Sequence, residues 1–243
     1  MQILRAIAPC GNTVHRTIAL CFFAAAFTLF GCRGTNSPDE PAAGFVLAAG
    51  DRLVYDGWTT NVWGYTLDSS KTRRTWDVLT TTSSGGGYND AVMIREEILR
   101  LTSNTTTVDT FLLRLTPEGN VLRYGFLADL VKRREARVIP PRWDTLAVPD
   151  ARFWMVGVMD SAGQMNVSAS VNAKEDYFNV EVNGVSSIFA ARLVEMESES
   201  LQYAFWFSTN PPCFPRFEEA PDPVNGIPNG SLLLLRQLRL APR

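Results

Sequence analysis

Histidine occurs once in the 243 residues of this chain, at His15, and cysteine four times, at Cys10, Cys21, Cys32 and Cys213. The first 31 residues contain neither Asp nor Glu. No apolar stretch reaches the roughly 18 residues that a membrane-spanning helix requires; the run from Thr17 to Phe30 has 14. Basic charge is not in excess either, with 23 Lys and Arg against 25 Asp and Glu. A nucleic-acid partner demands a basic face, so that class is excluded. Serine and cysteine nucleophiles usually depend on a neighbouring histidine base, and this chain has almost no imidazole to offer.

What is present begins with a leader. Arg5, His15 and Arg16 precede an apolar run through Leu20, Phe22, Phe23, Phe27 and Leu29, the pattern of a secretory signal. Its sixteen preceding residues are more than a charged leader needs, and a start at Val14 would leave a more compact one. At the end of the run stand Leu29, Phe30, Gly31 and Cys32. This order resembles the lipobox of bacterial lipoproteins: an aliphatic residue, a variable one, a small one, then the cysteine. A thiol supplies the nucleophile that takes the diacylglyceryl group, and glycine before it keeps the backbone open to the peptidase. The resemblance implies cleavage before Cys32, with residues 1–31 as signal peptide, and attachment to a membrane through lipid on Cys32. An ordinary secreted protein with a free cysteine near its start is the alternative. Arg33 stands where an Asp would signal inner-membrane retention in enterobacterial lipoproteins, which favours an outer membrane, with the domain facing the periplasm.

Cleavage sharpens the scarcities. It removes His15, Cys10, Cys21, Arg5 and Arg16, leaving 212 residues with no imidazole and an excess of four negative charges. With Cys32 acylated, Cys213 stands alone and no intramolecular disulfide can form. Cys213 lies between Pro212 and Phe214, in a proline-rich turn by sequence, and is read as a small buried hydrophobe. No metal site is expected: Glu96 with Glu97, Glu218 with Glu219, and Asp222 do not match a calcium loop. No cofactor and no enzymatic activity are expected.

Residues 32–50 contain Gly34, Asn36, Ser37, Pro38, Pro41 and Gly44 and read as a flexible tether. It would span about 60 Å at full stretch and about 20 to 25 Å as a coil. Residues 51–243 form one β-rich domain. The alternating runs predict strands over Leu53–Thr60, Thr75–Thr82, Ala91–Leu101, Thr106–Leu115, Val121–Leu127, Arg152–Met159, Gln164–Val171, Tyr177–Val182, Val185–Met196, Leu201–Phe207 and Leu232–Leu240. Asn183 and Gly184 between two of them are a strong hairpin signal, because both tolerate the positive φ of a type I′ turn. A short helix is expected over Ala128–Ala136, and Pro140, Pro141 and Pro149 exclude a central strand around Trp143. Turns are expected at Gly119 with Asn120 and at Ser161–Gly163, and a loop at Gly85–Gly87. The fold class is mainly β: a single antiparallel, highly curved sheet or incomplete barrel of about ten strands.

The order of Gly50, Asp51, Arg52, Leu53, Val54 and Tyr55, then Gly119 to Leu122, then Val185 to Ala191 and Tyr203 to Phe207, resembles a loose group of bacterial lipoproteins. These carry a G-D-x-W-x-Y opening, a D-G-x-x turn, a V-P-A-G-T-F strand and a closing Y-W-x-A-x-x-V-G segment. Here the third element lacks its proline and the fourth its glycine turn. Such proteins are similar in architecture to the periplasmic lipoprotein carriers, whose curved sheet wraps an apolar cavity. The resemblance implies the curved sheet and supplies no function.

All six tryptophans lie in the mature chain, and a large aromatic supply means either a large core or an apolar pocket. Trp58, Trp63, Trp154 and Trp206 are the candidate pocket residues. The basic run Lys132, Arg133, Arg134 and Arg137 is a candidate contact for anionic headgroups or simply a solvated face. Two readings follow. One is a non-catalytic carrier holding an apolar ligand in the concave face; the other is a structural or protein-interaction lipoprotein with a filled core.

Overall fold

A computed structural model describes residues 46–82, 91–134, 140–157, 166–198, 201–223 and 228–242. Cys32, Gly85–Gly87 and Ser161–Gly163 lie outside them, as do Arg137 and the side chains of Lys132, Arg133 and Arg134. The chain divides into two units, Met1–Pro41 and Ala42–Arg243, and the second holds everything described below.

Among the described residues, twelve strands form one sheet in the order β6-β5-β4-β3-β2-β1-β12-β11-β10-β9-β8-β7. They are β1 Arg52–Thr60, β2 Thr72–Thr82, β3 Ala91–Arg100, β4 Thr105–Leu115, β5 Val121–Tyr124, β6 Trp143–Ala147, β7 Phe153–Gly157, β8 Val167–Val182, β9 Val185–Ser198, β10 Leu201–Thr209, β11 Pro212–Glu219 and β12 Gly230–Arg239. Two six-strand meanders therefore join along β1 and β12, and neighbours in this order are antiparallel. Short connections dictate this, since hairpins join antiparallel neighbours whereas parallel ones need a crossover. The end of β8 also meets β12 in parallel, at Gln237 with Glu181 and Leu238 with Val182. The sheet curves without closing into a barrel. Its end strands β6 and β7 do not pair; instead the Trp154 indole N–H of β7 donates to the Thr145 carbonyl of β6 at 3.0 Å.

The mainly β fold with one short α-helix agrees with the sequence reading, and the differences have local causes. The strand expected to run to Leu127 stops at Tyr124 because Gly125 takes φ +71°, a left-handed conformation that turns the backbone out of the sheet. Helix α1, Phe126–Arg134, follows directly, two residues ahead of its expected start. The buried Asp144 carboxylate accepts the Leu127 N–H at 2.9 Å and the Arg142 Nε–H at 3.3 Å, satisfying a donor at the start of the helix. Burial pushes the Asp144 carboxyl above its usual value, against the lowering effect of the Leu127 bond and Arg142. The two strands expected at Gln164–Val171 and Tyr177–Val182 are one, β8, with its register broken between Val171 and Glu175. Asn183 and Gly184 do turn the hairpin, at φ +50° and +85°.

Cys213 does not lie in a turn. It belongs to β11, a strand that its prolines concealed. Pro212 opens the strand and Pro215 falls in the register break between the pairs Ser208–Cys213 and Trp206–Arg216, so neither interrupts the ladder. Cys213 is wholly buried, as read from sequence, and burial pushes its thiol far above the usual range. β6 sits at the sheet's edge, in keeping with the flanking prolines. Packing reaches back to Leu47, which joins the core, while Asp51 accepts N–H bonds from Ala48 and Ala241, each at 2.8 Å.

Candidate functional site

The two faces of the sheet differ in what they carry, and cross-strand register sorts the residues between them, because residues directly opposite one another share a face. On the inner face Tyr55, Trp76, Tyr203, Phe205, Phe214 and Phe217 form a continuous aromatic cluster, with ring centroids 4.9 Å apart for Tyr55 and Trp76 and 5.4 Å for Phe214 and Phe217. Helix α1 presses Phe126, Leu127 and Leu130 into the same core, and the Phe126 ring meets Tyr203 edge-on at 5.3 Å. The Arg123 guanidinium stacks 4.3 Å from the Phe111 ring. Among the described residues, the space between Arg74, Trp76, Glu96, Arg123, Phe126 and Tyr203 is about 50 Å³, room for a few waters and too small for an acyl chain. The curved sheet thus fills its inner face, among the described residues, with its own side chains and a helix. The Tyr55 hydroxyl is buried there with no hydrogen-bond partner among the described residues, and burial holds it in the neutral form.

The outer face carries a cleft of about 510 Å³ over β9 to β12. An unbroken cross-strand row forms its floor: Glu195 opposite Ala204, Ala204 opposite Glu218, Glu218 opposite Leu232. The small side chain of Ala204 leaves the depth. Glu197, Gln202, Arg216, Pro221, Thr60 and Gly64 complete the walls, and at the strand ends the lining also takes in Tyr203, Glu219 and Ser231, which the register places on the inner face. The charged lining comprises four carboxylates and one guanidinium, and that guanidinium is engaged: Arg216 Nε donates to Glu218 at 2.7 Å and the group stacks 4.8 Å from the Trp206 ring. Glu195 and Glu197 are exposed, and neither has a side-chain partner among the described residues.

Beside the cleft stands the connection from β1 to β2. The Asn61 side chain accepts the N–H groups of Trp63 and Tyr65, each at 3.0 Å, and so holds the segment as a compact turn. Gly64 takes φ +79° there, and the Trp63 and Tyr65 side chains are 78% and 71% exposed. An ordered turn that displays two large aromatics is unlike the isolated exposed leucines of any surface. Where β12 begins, a Cβ on Gly230 would lie 2.2 Å from the Glu219 carbonyl and 2.6 Å from Thr60, so only glycine lets these strands meet at the cleft's end.

The four nominated tryptophans do not line one pocket. Trp154 belongs to the inner side, packed against the core and bonded to Thr145. Trp206 faces outward and donates to Asp176 at 2.6 Å. Trp58 lies opposite Leu232 on the outer face, with the Lys71 ammonium 5.4 Å from its ring. Trp63 is in the exposed turn. The core tryptophan is Trp76, bonded to Glu96 at 2.9 Å, which sequence reading did not single out. Parity along β1 carried the missing signal, since Tyr55 and Trp58 fall on opposite faces of one strand. In the sequence Glu218 and Glu219 stand only as acids that match no calcium loop, and nothing local marks Glu195 or Glu197. Among the described residues no three His, Cys, Asp or Glu side chains gather as a metal site, and no helix is long and apolar enough to cross a membrane.

No family model matches the chain, and no curated protein matches it in sequence. Among solved structures it is similar to a protein of Bacteroides fragilis regarded as exported and given a YmcC-like fold. The identity is 12%, the TM-score 0.40, and the match covers 80% of this chain and 98% of that one. No residue role is taken from a likeness at that level.

Proposed function

We propose that this chain is a lipid-anchored protein of the cell envelope, without catalytic activity, that acts by binding another protein on its outer face and not by carrying an apolar cargo within. The filled inner face carries this reading. A carrier needs an apolar cavity of several hundred Å³, and the inner-face space lined by the described residues is about 50 Å³. The concavity of about 510 Å³ over β9 to β12 carries Glu195 and Glu197, whose carboxylates an acyl chain would desolvate. The leader and the Leu29 to Cys32 motif support the anchor, and the absence of imidazole after cleavage, with a thiol at Cys213 held neutral by burial, supports a non-catalytic role.

Two measurements in cells test it. An alkyne fatty acid should label the wild-type chain and leave Cys32→Ala unlabelled; label on the alanine variant would contradict the anchor. A photo-crosslinking residue at Glu197 should give protein adducts, whereas the same residue at exposed Thr107 on β4 should not. Adducts of lipid alone at Glu197, or equal adducts at both positions, would contradict the outer-face reading.

A further inference from the structure

The cleft is the deepest part of a longer track. On the outer face, cross-strand pairing runs without interruption from Phe153 to Ser170, Glu195, Ala204, Glu218, Leu232 and Trp58. A second row, Met155, Ser168, Glu197 and Gln202, lies beside it. The centre of this track is acidic and floored by small side chains, and both ends are apolar: Phe153 and Met155 are 60% and 43% exposed at one end, with Trp58 and the Trp63 turn at the other. Seven strands at the usual spacing of about 4.8 Å make the track about 29 Å long, the length of about nine residues of extended peptide.

Resting on the outer-face reading above, we infer that this track binds an extended, basic segment of a partner protein, with Arg or Lys side chains entering the cleft. Charge complementarity selects the occupant. Glu195 and Glu197 have no cation of their own among the described residues, while the acidic centre repels a nucleic acid or an anionic lipid. The same face already displays the chemistry in miniature: Lys71 lies over Trp58, and Arg216 lies over Trp206 with its guanidinium on Glu218. An incoming Arg finds in Glu195 and Glu197 two carboxylates of the kind that Glu218 already offers to Arg216. The apolar ends suit the flanking residues of a peptide, whose alternate side chains face the track at a period of two. A small amine would leave both ends unused.

The probe is a fluorescein-labelled nine-residue peptide with Arg and Ser alternating, and the same peptide with Gln for Arg is the control. Fluorescence anisotropy is read with the full chain in phosphatidylcholine nanodiscs at low ionic strength. The arginine peptide should bind and the glutamine peptide should not. Glu195→Gln with Glu197→Gln should weaken binding at least tenfold, and Trp63→Ser about threefold. Asp150→Asn with Glu175→Gln removes the same charge from exposed positions outside the cleft and should change binding less than twofold. All these positions are exposed, so melting temperatures should coincide and a lost signal cannot be misread as unfolding. Equal weakening by the two double variants, or no binding by the wild type, would overturn the inference. A bound apolar molecule in the interior, detected separately, would instead overturn the outer-face reading, so the two failures are told apart.

Discussion

The two faces of strands β9 to β12 are built from adjacent residues and do opposite things. Phe205 lies in the aromatic core while its neighbour Ala204 floors the acidic cleft; Phe217 packs against Tyr55 and Trp76 while Glu218 points the other way, to Arg216. One strand therefore builds the core on one side and the cleft on the other, with a single-residue step between them. The difference teaches that the aromatic richness of this sequence is largely a matter of core construction. What a partner would meet is set by the alternate positions, where the residues are smaller and charged.

The sharpest way to break this division is to remove its inner hub. Phe217 is within ring contact of Tyr55, Trp76, Tyr203, Phe205 and Phe214. Phe217→Ala should cost about 3 to 5 kcal/mol by denaturant titration, whereas substitution of exposed Glu195 by Gln should stay within about 0.5 kcal/mol. Similar costs at the two sites would erase the distinction between the faces.

The next effect concerns the helix that completes the filling. Asp144→Ala strands the buried Leu127 N–H and removes a partner of Arg142, at a cost of about 2 to 4 kcal/mol. Asp144→Asn keeps an acceptor and should cost less. The pH dependence carries a definite sign. Because the folded carboxyl titrates above its unfolded value, the folded state holds the extra proton, and the wild type loses stability as pH rises from the ordinary carboxylate range through the raised value. The asparagine variant does not titrate there, so its deficit should be largest in acid and shrink as pH rises. A deficit that grows with pH would contradict the assignment.

Much of the architecture could be read from the chain and much of the site could not, for identifiable reasons. Alternation marked most strands because one face of each is buried, and Asn183 with Gly184 marked a turn because few other pairs tolerate positive φ in succession. β11 escaped notice because Pro211, Pro212 and Pro215 signal turns wherever ladder bonds are required, and here a strand start and a register break excuse them. Trp58 and Trp206 drew attention by residue type, but type does not tell which face a side chain takes; pairing partners do. The cleft was invisible because it comes from a small residue, Ala204, among glutamates distant in sequence.

Smaller effects sharpen the comparison further. The hairpin tip donates Asn183 N–H to the Leu238 carbonyl and accepts Leu240 N–H at 2.8 Å, tying it to β12. Gly184→Val, forced to hold φ near +85°, should destabilise by about 1 to 3 kcal/mol, and Val185→Ala much less. Equal midpoints for the two would remove the turn assignment. Tyr55→Phe deletes a buried hydroxyl that has no partner among the described residues and should leave stability unchanged or raise it by about 1 kcal/mol. A clear loss would mean that the inner face holds a polar group or ligand which the hydroxyl contacts.

The most direct test of the central claim, a filled inner face, is native mass spectrometry of the full chain released gently from detergent micelles. The account predicts a mass equal to the processed polypeptide plus the covalent lipid on Cys32, with no second apolar molecule retained. A stoichiometric, non-covalent lipid or fatty acid that survives release and leaves on denaturation would show that the interior opens to hold cargo, and would contradict it.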